Sequence, residues 1–142
     1  MGEFSARHRV VSVVLDTHAA IWYLHSPTTL SPPALQAIRR SLANSEPVFV
    51  SAISLVETIY LVERGRLPLE ALQRLQSAVT SASSGMLVQP LDEAVAAVTG
   101  TVSRSIVPDM PDRIIAATAL YLGLALVTRD RRLQSVGIKT IW

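Results

Sequence analysis

Val10 to Leu15 is β-branched and apolar at nearly every position, and the run stops at an acid, Asp16. A strand without polar alternation has to be covered on both faces, the situation of a strand inside a parallel sheet with helices on either side. From Thr17 to His25 the residues Ala20, Ile21 and Leu24 recur at helical spacing until Ser26-Pro27 interrupts them. The opening unit therefore reads strand, acid, helix.

The rest of the chain continues this alternation. Ser31-Pro32 suits a helix start, an N-cap hydroxyl before a proline, with Leu35, Ile38 and Leu42 as the buried stripe. Val48 to Val50 is a second short strand, after which Ser51 or Ser54 opens a helix through Glu63, ended by Gly65 as its C′ residue. Leu69, Leu72, Leu75 and Val79 mark a further amphipathic helix, and the Ser-rich Ser81 to Gly85 is a loop. Met86 to Gln89 reads as a strand, and Asp92 caps a helix from Glu93 to Ser105. After a Pro108 to Pro111 loop, Asp112 begins a helix Arg113 to Leu122; Ala125 to Thr128 and Ile138 to Trp142 are the last two strands. The fold class is α/β, with a mostly parallel sheet of about five strands flanked by helices.

Residues 10–142 read as one domain, with Met1 to Arg9 as a flexible N-terminal lead-in that has charge on both sides of Phe4 and no signal-peptide core. The longest uncharged stretch, Ile114 to Thr128, falls short of the roughly 20 residues that span a bilayer. No membrane role and a cytoplasmic address are expected. The chain has no cysteine, which excludes disulfides, zinc-thiolate sites and thiol nucleophiles. Its net charge of +2 permits a nucleic-acid partner without diagnosing one. A hydrophobic content of 49% exceeds the needs of one small core and points to apolar surface for another chain.

In open α/β sheets, ligands bind beyond the carboxyl ends of the strands. Asp16 and Asp130 each follow closely after an apolar strand, and Asp112 joins them if its helix starts at the same edge. Glu57 interrupts the apolar helix Ile53 to Leu61, where a lone buried carboxylate is costly. Two carboxylates about 4 Å apart repel by roughly 4 kcal/mol at an effective dielectric near 20, so four together need protons or a cation. A hard divalent ion such as Mg²⁺ or Mn²⁺ suits oxygen ligands, and acid clusters of this kind hydrolyse phosphodiesters. Arg113, Arg129, Arg131 and Arg132 adjoin two of the acids and are candidates to hold phosphates; Thr128 has a hydroxyl near Asp130.

Structural roles compete with these. Asp16 and Asp112 also suit helix caps, and Asp130 among arginines also suits a solvated turn. Glu63, about 240° round the helix from Glu57, belongs on the surface, as do the helix-start acids Glu70, Asp92 and Glu93. Asp109 is either a further acid near the metal ligands or uninvolved. His18 and His25 read as packing or surface residues, and Trp22 and Tyr23 as core or interface.

Taken in order, Val13-Val14-Leu15-Asp16-Thr17-His18, Ser51-Ala52-Ile53-Ser54-Leu55-Val56-Glu57, Pro111-Asp112-Arg113-Ile114-Ile115-Ala116-Ala117-Thr118-Ala119 and Val127-Thr128-Arg129-Asp130 resemble the four acid-bearing motifs of the PIN-domain family. They look in particular like the toxin ribonucleases of bacterial VapBC toxin-antitoxin pairs. The resemblance covers Val10 to Trp142. It implies a PIN fold and a Mg²⁺- or Mn²⁺-dependent endoribonuclease whose catalytic and metal-binding residues are Asp16, Glu57, Asp112 and Asp130. It also implies an RNA substrate, a homodimer and a VapB-type antitoxin whose C-terminal segment obstructs the site. The alternatives are another metal-dependent nuclease or phosphatase on a related sheet, or a non-catalytic nucleic-acid-binding module.

Overall fold

The computed structural model describes residues 11–142; the lead-in 1–9 and Val10 lie outside the described residues. Five strands form one sheet: β1 (Val13–Leu15), β2 (Val48–Ser51), β3 (Met86–Gln89), β4 (Ala125–Val127) and β5 (Thr140–Ile141). The helices are α1 (Thr17–His25), α2 (Pro32–Ala43), α3 (Ala52–Glu63), α4 (Leu69–Thr80), α5 (Glu93–Thr99), α6 (Met110–Leu122) and α7 (Arg131–Gln134). The strand order is β3-β2-β1-β4-β5 and every pairing is parallel, with Leu15 opposite Val50 on one side and Val127 on the other.

Burial follows the unbroken apolar strands. Val13 and Leu15 of β1 and Val127 of β4 pack with Ala20, Ile38 and Leu75 on one face of the sheet. Val14 and Leu126 point the other way, into a second cluster with Val95, Ile115, Ala116 and Leu133. Val14, Leu15, Leu126 and Val127 are all 0% exposed, so both faces are closed, as a parallel sheet requires. Winding leaves β1 toward β2 on one side and later returns to β4 on the other. The crevice beyond the carboxyl ends of β1 and β4 is therefore the topological switch point.

Several boundaries differ from the sequence expectation. β1 begins at Val13, preceded by Val11 and Ser12 outside the strand. The helix expected to reach Ser105 stops at Thr99, capped by Gly100, while Val102 stays buried in the turn beyond it. Burial at helical spacing thus continues past the helix itself. α6 starts at Met110, because Asp109, not Asp112, is its N-cap and accepts a 3.2 Å hydrogen bond from the Asp112 N–H. α7 was not anticipated, and β5 is only Thr140–Ile141.

α3 has an inverted character. Its fully buried residues are the hydroxyl side chains Ser54 and Thr58, whereas Val56 and Tyr60 are about half exposed at 46% and 54%. Ser51 is its N-cap, accepting from the Ile53 N–H, and Gly65 (φ +72°) follows it in the left-handed region. Among the described residues no helix is long and apolar enough to cross a membrane.

Candidate active site

The crevice at the switch point is a cleft of about 550 Å³ lined by Asp16, Glu57, Asp109, Asp112 and Asp130, together with Thr17, His18, Trp22, Arg129 and Arg132. All four acids singled out from the sequence meet there, and Asp109 joins them. Each acid is held by the local structure that delivers it. Asp16 leaves β1, where its N–H bonds the Val127 carbonyl at 3.1 Å, and its carboxylate caps α1 by accepting from the Ala19 N–H at 2.8 Å. Asp130 caps α7 through the Arg132 N–H at 2.8 Å. Asp112 occupies the first turn of α6. Capping and pointing into the cleft prove compatible, because every one of these helices starts at the carboxyl edge of the sheet.

Glu57 comes from the middle of α3 and has no helix end to hold it. The Thr17 hydroxyl, at the start of α1, donates to Glu57 Oε1 at 2.5 Å and lies 2.9 Å from the buried Ser54 hydroxyl. The polar inner face of α3 is thus the support for its one cleft acid. Thr128, fully buried, is hydrogen-bonded to Asp16, and its Oγ1 accepts the Asp130 N–H at 3.0 Å. Its hydroxyl ties two acids together and is not directed to a solvent ligand.

The electrostatics are those of acids brought together without an ion-paired counter-charge among the described residues. Burial pushes the Asp16 carboxyl above its usual range, against the hydrogen bonds from Thr128 and Ala19 that lower it. Glu57 is raised, again chiefly by burial, with Thr17 opposing. Asp112 is pushed up to about 7 by burial and then by the charges of Asp109, Asp130, Glu57 and Asp16. Among the described residues the only salt bridge is Arg74 with Glu70, far from these acids in sequence, so none of the cleft carboxylates is neutralised by an arginine.

Such a set of hard oxygen donors, repelling one another and with no ion-paired cationic side chain among the described residues, fits a divalent cation. Among the described residues no three carboxylate or imidazole groups converge tightly enough to hold an ion as the side chains stand. Retained waters bridge gaps of that kind in Mg²⁺ sites, where only one or two carboxylates need bind directly.

Two expectations about cations are corrected. Arg113 does not face phosphates: its Nη2 donates to the Thr99 and Val102 carbonyls at 3.1 and 3.0 Å, clamping the turn after α5 onto α6. Arg131 is exposed and does not line the cleft, whereas Arg129 and Arg132 do. Sequence reasoning left Asp109 undecided and placed Trp22 in core or interface. The signals were there in the Asp109-x-x-Asp112 spacing of a capped first turn and in the one-turn separation of His18 and Trp22.

A family model, the PIN domain, matches residues 13–139. The chain belongs to the PIN-domain family. It is 35% identical over 131 residues to Ribonuclease VapC22 of Mycobacterium tuberculosis, an alignment covering 89% of this chain and 92% of that protein. Its fold is similar to that of VapBC2 from Rickettsia felis bound to a DNA fragment from their promoter, with a TM-score of 0.68 at 14% identity, covering 91% of this chain and 96% of that one. FitAcB from Neisseria gonorrhoeae is likewise similar, with a TM-score of 0.57 at 26% identity and coverage of 90% and 95%. The five-stranded parallel sheet and flanking helices are thus the PIN architecture, and the acid cleft of this PIN domain lies at its switch point.

Proposed function

We propose that this PIN domain is a metal-dependent endoribonuclease of the VapC type, the toxin of a type II toxin-antitoxin pair, which hydrolyses RNA phosphodiester bonds. The observation that carries the reading is the meeting of Asp16, Glu57, Asp112 and Asp130 in one cleft without a salt-bridged partner among the described residues. The 35% identity to Ribonuclease VapC22 supports RNA as the substrate. Residues 10–142 form the single nuclease domain.

Asp16, Asp112 and Asp130 would hold Mg²⁺ or Mn²⁺ directly or through water. Glu57, fixed by Thr17, would orient a water or a second ion. When bound, the metal activates water for attack and neutralises charge on a phosphate oxygen. Thr128 keeps Asp16 and Asp130 in register, and the helix N-termini behind Asp16, Asp112 and Asp130 lower the cost of concentrating negative charge there. No covalent nucleophile from the chain is required.

The exposed Val56 and Tyr60 on α3 support the expectation of partner chains, a second copy of the toxin and a VapB-type antitoxin. A cytoplasmic address accords with an RNA substrate and with a chain that has no cysteine. Incubation of the protein and Mn²⁺ with single-stranded RNA, single-stranded DNA and a small phosphomonoester tests the reading. Endonucleolytic cuts in RNA are expected, absent with chelator; hydrolysis of the monoester alone contradicts it.

A further inference from the structure

An arginine beside an acid cluster ordinarily closes on a carboxylate, since the attraction between opposite charges near 4 Å is several kcal/mol at the effective dielectric near a protein surface, about 4 at a value of 20. Among the described residues Arg129 closes on none, although it lines the cleft next to Asp130 in sequence. Its guanidinium carbon lies 4.6 Å from the centroid of the Trp22 ring and 5.9 Å from that of Trp142. The two indoles are themselves neighbours, 5.8 Å apart, and His18 packs against Trp22 from one turn earlier on α1, 5.5 Å away. Both tryptophans are partly buried against the core, so the surface on which Arg129 rests is fixed by the fold.

Stacking of this kind uses the face of the guanidinium and leaves the N–H donors along its edge. None of those donors makes a hydrogen bond among the described residues, in contrast to Arg113, which is committed to two carbonyls. Arg129 is exposed, at the lip of a cleft whose five acids repel a polyanion. The edge of a planar guanidinium matches two oxygens of a phosphate, and an arginine held on indole faces has already lost the freedom that such a contact would cost it.

We infer that Arg129, stacked on Trp22 and Trp142, is a substrate-positioning residue: a pre-oriented fork that takes a backbone phosphate of the bound strand and keeps that strand over the acids. This rests on the ribonuclease reading. Arg132 also lines the cleft but has no aromatic support among the described residues and serves as its comparison.

The test measures RNA cleavage kinetics in Mn²⁺, and RNA affinity against salt in the cleavage-impaired Asp112→Asn background. Arg129→Ala is expected to raise KM about tenfold or more with a smaller change in kcat, and to reduce the slope of log affinity against log salt by about 0.7, one phosphate contact on a single strand. Arg129→Lys should restore the slope but not KM. Trp22→Phe, which keeps the arginine and retains an aromatic core residue, should raise KM with the slope unchanged. Arg39→Ala, exposed on α2 away from the cleft, supplies the baseline. An Arg129→Ala protein with wild-type KM and slope overturns the inference, as does loss of slope in Arg132→Ala alone. A wild-type chain that cuts no RNA overturns the ribonuclease reading itself.

Discussion

The Thr17 hydroxyl on α1 donates a 2.5 Å hydrogen bond to Glu57 on α3, joining helices forty residues apart in sequence at the edge of the acid cleft. Thr17→Val keeps the side-chain shape and removes the donor. It is expected to lower kcat for RNA about tenfold or more, the worth of a hydrogen bond to a charged group, with little change in KM. Thr17→Ser should retain most activity. Steady-state kinetics on one RNA substrate decide it, and wild-type kcat in Thr17→Val would remove Thr17 from the positioning of Glu57.

Asp112 titrates near pH 7 in the folded chain against an ordinary value of 3.8. Between those values the folded chain holds a proton that the unfolded chain has released. The resulting stabilisation is fully present below about pH 4 and is lost as pH rises through 7. Metal-free protein should therefore show a higher Tm at pH 5.5 than at pH 8, and Asp112→Asn should flatten that difference. Added Mg²⁺ should stabilise more at pH 8 than at pH 5.5, because binding requires the carboxylate form. Differential scanning calorimetry at the two pH values checks each sign.

Arg113 sits directly after a cleft acid, yet its guanidinium clamps the Thr99 and Val102 carbonyls. Arg113→Met is expected to cost about 1–3 kcal/mol of stability, since it leaves those carbonyls without their charged donor. The salt dependence of RNA binding should stay at the wild-type slope. Denaturant unfolding together with a salt titration separates this role from a phosphate contact.

Gly123 closes α6 in the left-handed region, φ +68°, and a Cβ added there meets nothing within 4 Å. The cost of Gly123→Ala is therefore conformational alone, about 1–2 kcal/mol, a Tm loss of some 2–6 °C for a domain of this size. Thermal unfolding measures it, and cleavage at low temperature should be unaffected.

What the sequence made legible was whatever chain-local chemistry determines. The nearly continuous apolar run ending at Asp16 announced a strand covered on both faces, and Val14 and Leu15 indeed feed opposite clusters. The order of Asp16, Glu57, Asp112 and Asp130 carried the cleft, because strand ends and helix starts share one edge of a parallel sheet. Contacts through space were not legible. Arg113 reads as a cation beside an acid until α5 is seen against α6, and Trp22 reads as core or interface until Arg129 is found over its ring. The helix expected through Ser105 ended at Gly100 because Val102 is buried by a turn, not by helical continuation. Asp109 stayed undecided for a related reason: three residues of chain separate a cap from a first-turn acid, and both positions accept an aspartate.

In the proposed function the four gathered carboxylates cut RNA with a divalent ion. The most direct measurement is the rate of single-stranded RNA cleavage in Mn²⁺ by wild type and by Asp112→Asn, with circular dichroism confirming that both are folded. The loss expected is on the order of a hundredfold or more in kcat/KM, with folding retained and thermal stability in chelator equal or higher. A folded Asp112→Asn protein that cleaves at the wild-type rate would contradict the account.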